Sequence, residues 1–404
     1  MTVEAAVMNS RAVAIAADSA VTFGGSGKVF YTAEKIFQLH KDLPIGIMIY
    51  ASTTFMGAID WEVIIKEYTK YLNGKSFDTL GKHAEHFIDF VRDYKYINDE
   101  MERNYFDEFV GGVVFGKVLN NVVNIYKENK DKEKRQLFDE IIGDSLTAYK
   151  DRFDTDAHKK DMIDGYFLDI NLKRLDGGIE EAFKERIGED ISDTQKDMLK
   201  ALIRYTMMDI CTDEESNERS LLNTYVSGIV FAGYGEKEIF PALCRCIIYG
   251  KLGKNFIHDV ASLKIDSGGE SQVVPFAQAD VIRLFVNGID DGIFEHICDK
   301  FTTISETAKK KLSEEDSAEV MKMCDEALDS INNYIKTYLS DPITDIIGHL
   351  PGINLAEIAE SLVNITSLRR HNSTEGDTVG GPTDVALITK GDGFKWIRNK
   401  NGIR

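Results

Sequence analysis

The chain has 404 residues, 43% hydrophobic and 28% charged, with a formal net charge of -19. That balance excludes a disordered chain and allows a large core. The acidic excess argues against nucleic-acid binding, which needs a concentrated basic face.

The cysteines, Cys211, Cys244, Cys246, Cys298 and Cys324, lack CxxC spacing and read as free thiols of a reducing, cytoplasmic protein. The first residues lack the basic-then-apolar plan of a signal peptide. The longest uncharged run, Leu43 to Ile59, is broken by Gly, Ser and Thr and is short for a spanning helix, so no membrane partner is expected.

In chain order, Thr2 to Met8 and Ala12 to Ala17 read as two apolar strands joined by a turn at Asn9-Ser10-Arg11, hence antiparallel neighbours. Asp18 follows, then a glycine-rich loop from Phe23 to Lys28. Lys35 to Leu39 and Pro44 to Ala51 read as further strands around Lys41-Asp42. From Thr53 the period becomes helical, through Phe55, Ile59, Val63, Ile64 and Tyr68, and again through His83, Phe87 and Val91. Val110 to Val118 reads as a strand. Residues 120–220 are charged and amphipathic, with no proline between Pro44 and Pro241. Tyr225 to Ala232 and Cys246 to Tyr249 read as strands. Residues 279–335 read as largely helical with a bend at Lys309-Lys310-Lys311, and 344–369 as another helix after Pro342. Thr383 to Thr389, Gly391-Asp392-Gly393 and Phe394 to Ile397 form a hairpin signal.

Several motifs admit plain readings. Gly24 to Lys28 is not a phosphate loop, because Thr22 and Val29 occupy positions that need Gly and Ser/Thr. His83, Glu85 and His86 lack a third metal ligand and read as a helix face. No GxSxG elbow supports Ser-His-Asp catalysis. Lys309 to Lys311 reads as solvated surface, and Cys244 and Cys246 as small apolar residues. Taken singly, Asp18 is a turn residue and Lys35 a surface lysine.

Thr2 changes that weighting. Methionine removal before a small residue exposes a free Thr amine, so nucleophile and base sit on one residue. An α-amino group titrates near about 7.7–8.0, and a nearby ammonium favours its neutral form. The β-branch restricts χ1 and pre-aims the hydroxyl.

The run from Thr2-Val3 through Ala12-Val-Ala-Ile-Ala-Ala-Asp18 to Lys35-Ile-Phe-Gln-Leu39 resembles the start of proteasome β-subunits and their bacterial two-component relatives. Asp377-Thr-Val-Gly380-Gly381, followed by a strand and Gly391-Asp392-Gly393-Phe394, resembles the family's closing motif. By this resemblance Thr2 attacks, Lys35 tunes its amine, and Asp18 and Asp377 support them. Backbone N–H groups near Ala51 and Ser52 hold the oxyanion, and no metal or organic cofactor is needed. Gly380 and Glu236 stand where the family has supporting serines, and Tyr50-Ala51-Ser52-Thr53 lacks the family's glycine.

The resemblance implies an α+β fold, a four-layer αββα sandwich of the N-terminal-nucleophile (Ntn) hydrolase type with helical insertions. The expected organisation is one domain over 2–404, with core segments at about 2–118, 222–278 and 377–398. Helical insertions then fall at about 119–221 and 279–376. It implies a threonine-type peptidase acting on a peptide or protein substrate in a homo-oligomer, for which a ring is one arrangement. An ATP-dependent unfoldase partner follows by analogy alone. Two other classes stay open: an inactive proteasome-like scaffold, and an amidase acting on a small molecule.

Overall fold

The computed structural model describes residues 3–22, 28–128, 130–153, 165–212, 220–222, 226–266, 268–373, 379–400 and 402. Thr2 and Asp377, and most of the glycine-rich loop, lie outside the described residues.

The strands are β1 (Val3–Asn9), β2 (Ala12–Ala17), β3 (Val21–Thr22), β4 (Val29–Phe30), β5 (Ile36–Gln38), β6 (Ile45–Ala51), β7 (Thr54–Phe55) and β8 (Ile59–Asp60), then β9 (Ser227–Gly233), β10 (Ala242–Leu252), β11 (Asn255–Lys264), β12 (Ser271–Ala277), β13 (Asp384–Thr389) and β14 (Gly393–Arg398). Two five-stranded antiparallel sheets result, ordered β12-β1-β2-β13-β14 and β11-β10-β9-β6-β5.

Strand alternation sorts each side chain to one face. In β1, Ala6 and Met8 join Val13, Ile15, Met48, Val230, Ala232 and Phe394 in a core between the sheets. Val3, Ala5 and Val7 point the other way, onto Leu355, Ala359, Leu362 and Val363 of the helix Gly352–His371. The helices between residues 61 and 212 pack on the outer face of the second sheet, where Ile47, Phe231, Cys244 and Cys246 meet Trp61, Ile64, Phe87 and Phe106. The layers are therefore helices, sheet, sheet, helices. This is a mixed fold with helices outside paired antiparallel sheets.

Three local readings are corrected. Residues 53–60 form the small hairpin β7–β8, and the helix starts only at Trp61. Val110 to Val118 is no strand, because it lies inside the continuous helix Asp99–Glu128, which includes a π-helical stretch at Gly112–Leu119. The expected domain boundary at 118 thus falls within a helix. Its Tyr105, Phe106, Phe109, Val113 and Val118 are buried in the helical core, so tertiary packing overrides the local β-propensity. By length and composition alone, this is the one helix among the described residues that would be able to cross a membrane. Third, the single helix expected over 344–369 is two, Asp341–His349 and Gly352–His371, with Pro342 in the first turn where a missing N–H costs nothing.

His83 and His86 serve the packing of the helix Leu80–Arg92. His83 Nε2 accepts from the Phe77 amide at 3.1 Å, and His86 Nδ1 lies 3.0 Å from Tyr68 Oη. Burial pushes the His83 imidazole down to about 4, with His86 adding to the effect. Its folded value lies below the unfolded value of about 6.5, so the unfolded chain takes up the proton first. The contribution is complete above about pH 6.5 and is lost as pH falls towards 4. His83→Gln, which can still accept from Phe77, should therefore reduce the stability lost between pH 7 and 4.5 by about 2 kcal/mol in urea unfolding.

Candidate functional site

The tight β1–β2 hairpin brings Asp18, the residue after β2, back against the start of β1. The Asp18 amide donates to the Val3 carbonyl, and the Val3 amide donates to Asp18 Oδ1, each at 3.1 Å. Lys35 approaches from the opposite sheet, just before β5, where its carbonyl accepts from the Ile49 amide at 2.8 Å. Its side chain lies within the sandwich and places Nζ 2.5 Å from Asp18 Oδ1. The second Asp18 oxygen accepts from the Gly380 amide at 2.8 Å.

Asp18 and Lys35, 17 residues apart and next to strands of different sheets, are thus brought together at the amino end of β1. Each is only 1% exposed. Removing these charges from water is costly, and an ammonium, two backbone amides and a carboxylate in hydrogen-bond range offset that cost.

A third charged group completes the cluster. Glu4 is fully buried on the inter-sheet face of β1, and its Oε1 lies 3.2 Å from Lys35 Nζ. Its sequence signal was a lone acid in the apolar run Val3-Glu-Ala-Ala-Val-Met8. Strand alternation would have directed it inward with Ala6 and Met8. Tyr50, on β6, has its phenol pushed up to about 12, mainly by burial, with Glu4 adding and Arg245 opposing. Its ring lies across Gly228 of β9, where an added Cβ would stand 2.0 Å from Tyr50 Cε1. Gly228 is therefore what lets the tyrosine lie flat on the sheet.

Ala51 and Ser52 differ in what their backbones can do. Ala51 has φ 65, the left-handed region that favours glycine. The turn thus puts a residue with a Cβ in a backbone conformation that glycine adopts freely, which is local backbone strain. The Ser52 amide donates to the Val226 carbonyl at 3.1 Å, so that N–H is already engaged in the sheet. Ala277, paired with Val3 at the end of β12, is also left-handed, with φ 57.

Glu236 is not brought to this cluster. It follows β9 at the end that pairs Gly233 with Ile45, whereas Ala51 pairs with Ser227 at the other end of that strand. Its amide instead donates to Phe77 O at 2.8 Å. Ser227, buried and opposite Ala51, is the serine that the sheet places at the Ala51 end.

Two cavities flank this end of the sandwich. One of about 520 Å³ is lined by Glu34, Ile36, Phe37, Ile65, Asp384 and Trp396, at the edge formed by β5 and β14. The other, about 500 Å³, lies beyond β12 and is lined by Gln278, Asp280, Arg283, Arg369 and Arg370, among others. Among the described residues no group of three or more His, Cys, Asp or Glu is arranged to hold a metal ion.

The Gly380 N–H donates directly to Asp18, so this position supports the aspartate through its backbone. It has φ 127, and a Cβ there would stand 2.8 Å from His371 Nε2. Installing the serine of the resembled family by Gly380→Ser should therefore harm the site. We expect a loss of about 1–3 kcal/mol in denaturant unfolding, from backbone strain and the displaced imidazole. No family model matches this chain and no curated protein matches it, so the family likeness rests on the residues described above.

Proposed function

We propose that this chain is a threonine-type hydrolase of amide bonds, of the proteasome-like Ntn class, with Thr2 as its nucleophile once Met1 is removed. The observation that carries the reading is the buried Asp18–Lys35 pair at the amino end of β1, with the Val3 amide bonded to the same carboxylate. Thr2 precedes Val3 in the sequence, and the proposal puts its amine beside this charged pair. A fixed ammonium beside an α-amine favours the amine's neutral, proton-accepting form.

In the reaction Thr2 Oγ1 attacks the substrate carbonyl and its proton passes to the Thr2 amine. The tetrahedral oxyanion forms near the Ala51 turn, where a backbone N–H supplies the donor. The amine then returns the proton to the leaving nitrogen as the C–N bond breaks, leaving an ester on Thr2. Water, deprotonated by the same amine, hydrolyses that ester and regenerates the hydroxyl. Asp18 orients Lys35, and Asp377 belongs to the same proposal by sequence register. A peptide or protein substrate, a homo-oligomer and cytoplasmic residence are further parts of it.

The test is turnover of fluorogenic peptide amides by protein whose mass shows Met1 removed. Hydrolysis abolished by Thr2→Ala supports the proposal. Turnover restricted to small amides, by a monomer or dimer, would favour the amidase class. No turnover in either protein, with assembly unchanged, would favour the scaffold class.

A further inference from the structure

We propose that Glu4 is a positioning residue for Lys35, a second ionised carboxylate beside its ammonium that weakens the ammonium's effect on the N-terminal amine. This rests on the reading of Thr2 as nucleophile. One carboxylate suffices to neutralise Lys35, and Asp18 supplies it at 2.5 Å with two backbone donors on its own oxygens. Glu4 adds a further negative charge at 3.2 Å from the same Nζ, fully buried and one residue from Val3.

The surroundings decide what that charge does. Glu4 lies beside Lys35, itself bonded to Asp18, and acts on the Tyr50 phenol, which Arg245 of β10 opposes. Asp384, across β2 at the same end, is occupied by Lys400, whose amide donates to it at 2.7 Å. The lysine is held from two sides, which restricts its ammonium to one place between the sheets. The second carboxylate also opposes the effect of Lys35 on a nearby amine, because a negative charge favours the protonated form. Glu4 thus sets where on the pH scale the nucleophile becomes competent.

The experiment is the rate of covalent modification by a threonine-directed β-lactone as a function of pH, for the full chain and for Glu4→Gln and Glu4→Asp. Glu4→Gln should move the acid limb down by about one pH unit, the size expected for losing one charge several ångströms away in a partly buried site. Glu4→Asp keeps the charge and should leave the limb in place while lowering the plateau rate. An unmoved limb in Glu4→Gln, or an equal shift in both variants, would overturn the proposal. An unreactive wild-type chain would instead sink the nucleophile reading. The ionisation of Glu4 is then read without Thr2, from the infrared difference between wild type and Glu4→Gln. A carboxylate band at neutral pH supports the proposal, and a protonated carbonyl band refutes it.

Discussion

Lys35→Met is expected to destabilise the fold by about 3–5 kcal/mol in denaturant unfolding, the range for removing one partner from a buried charge cluster. Methionine fills much of the same volume, so the loss is electrostatic and not a cavity. Without the ammonium, the two buried carboxylates that lie beside it lose that counter-charge. Adding Glu4→Gln to Lys35→Met should recover part of the loss. The two changes will therefore be non-additive, as expected for groups in contact. A cost below about 1 kcal/mol, typical of an exposed pair, would mean that Lys35 is not held as described.

Thr2→Ala should act oppositely, with little effect on unfolding and a large one on reaction. If Thr2 supplies both nucleophile and base, its hydroxyl has no substitute, and hydrolysis should fall by at least about 10³-fold. Thr2→Ser keeps a hydroxyl and an amine and should retain a measurable fraction of the rate, reduced because serine lacks the β-branch that fixes χ1. The contrast separates two roles. In the proposal Lys35 holds the buried charge cluster and tunes the amine, while Thr2 performs the chemistry.

Much of the sheet framework was legible because local signals and burial agreed. The apolar runs around Asn9-Ser10-Arg11 and Gly391-Asp392-Gly393 became the hairpins β1–β2 and β13–β14 within a residue or two of expectation. Lys35 and Asp18 were found through the family resemblance of the run from Thr2 to Leu39, and the structure brings these two together. By contrast β12 was not named as a strand, because Pro275 interrupts Ser271–Ala277. Proline is tolerated there because β12 is an edge, paired only with β1. Missing β12 also hid Ala277 beside Val3. Glu4 was overlooked for a related reason, since an acid within a strand normally marks the solvent face and this sheet has none there. Val110 to Val118 misled because its valines and glycines favour a strand when read alone, whereas helical neighbours on every side decide the outcome. Glu236 followed a glycine turn that lies at the wrong end of β9, a fact set by antiparallel pairing and invisible in a local motif.

The central claim is that a processed Thr2 is a working nucleophile, and intact mass tests it most directly. The native protein would be weighed before and after treatment with an epoxyketone or β-lactone, alongside Thr2→Ala. Loss of the Met1 mass and one covalent adduct are expected, with no adduct on Thr2→Ala. Retained Met1, or a free Thr2 that never reacts, would contradict the claim.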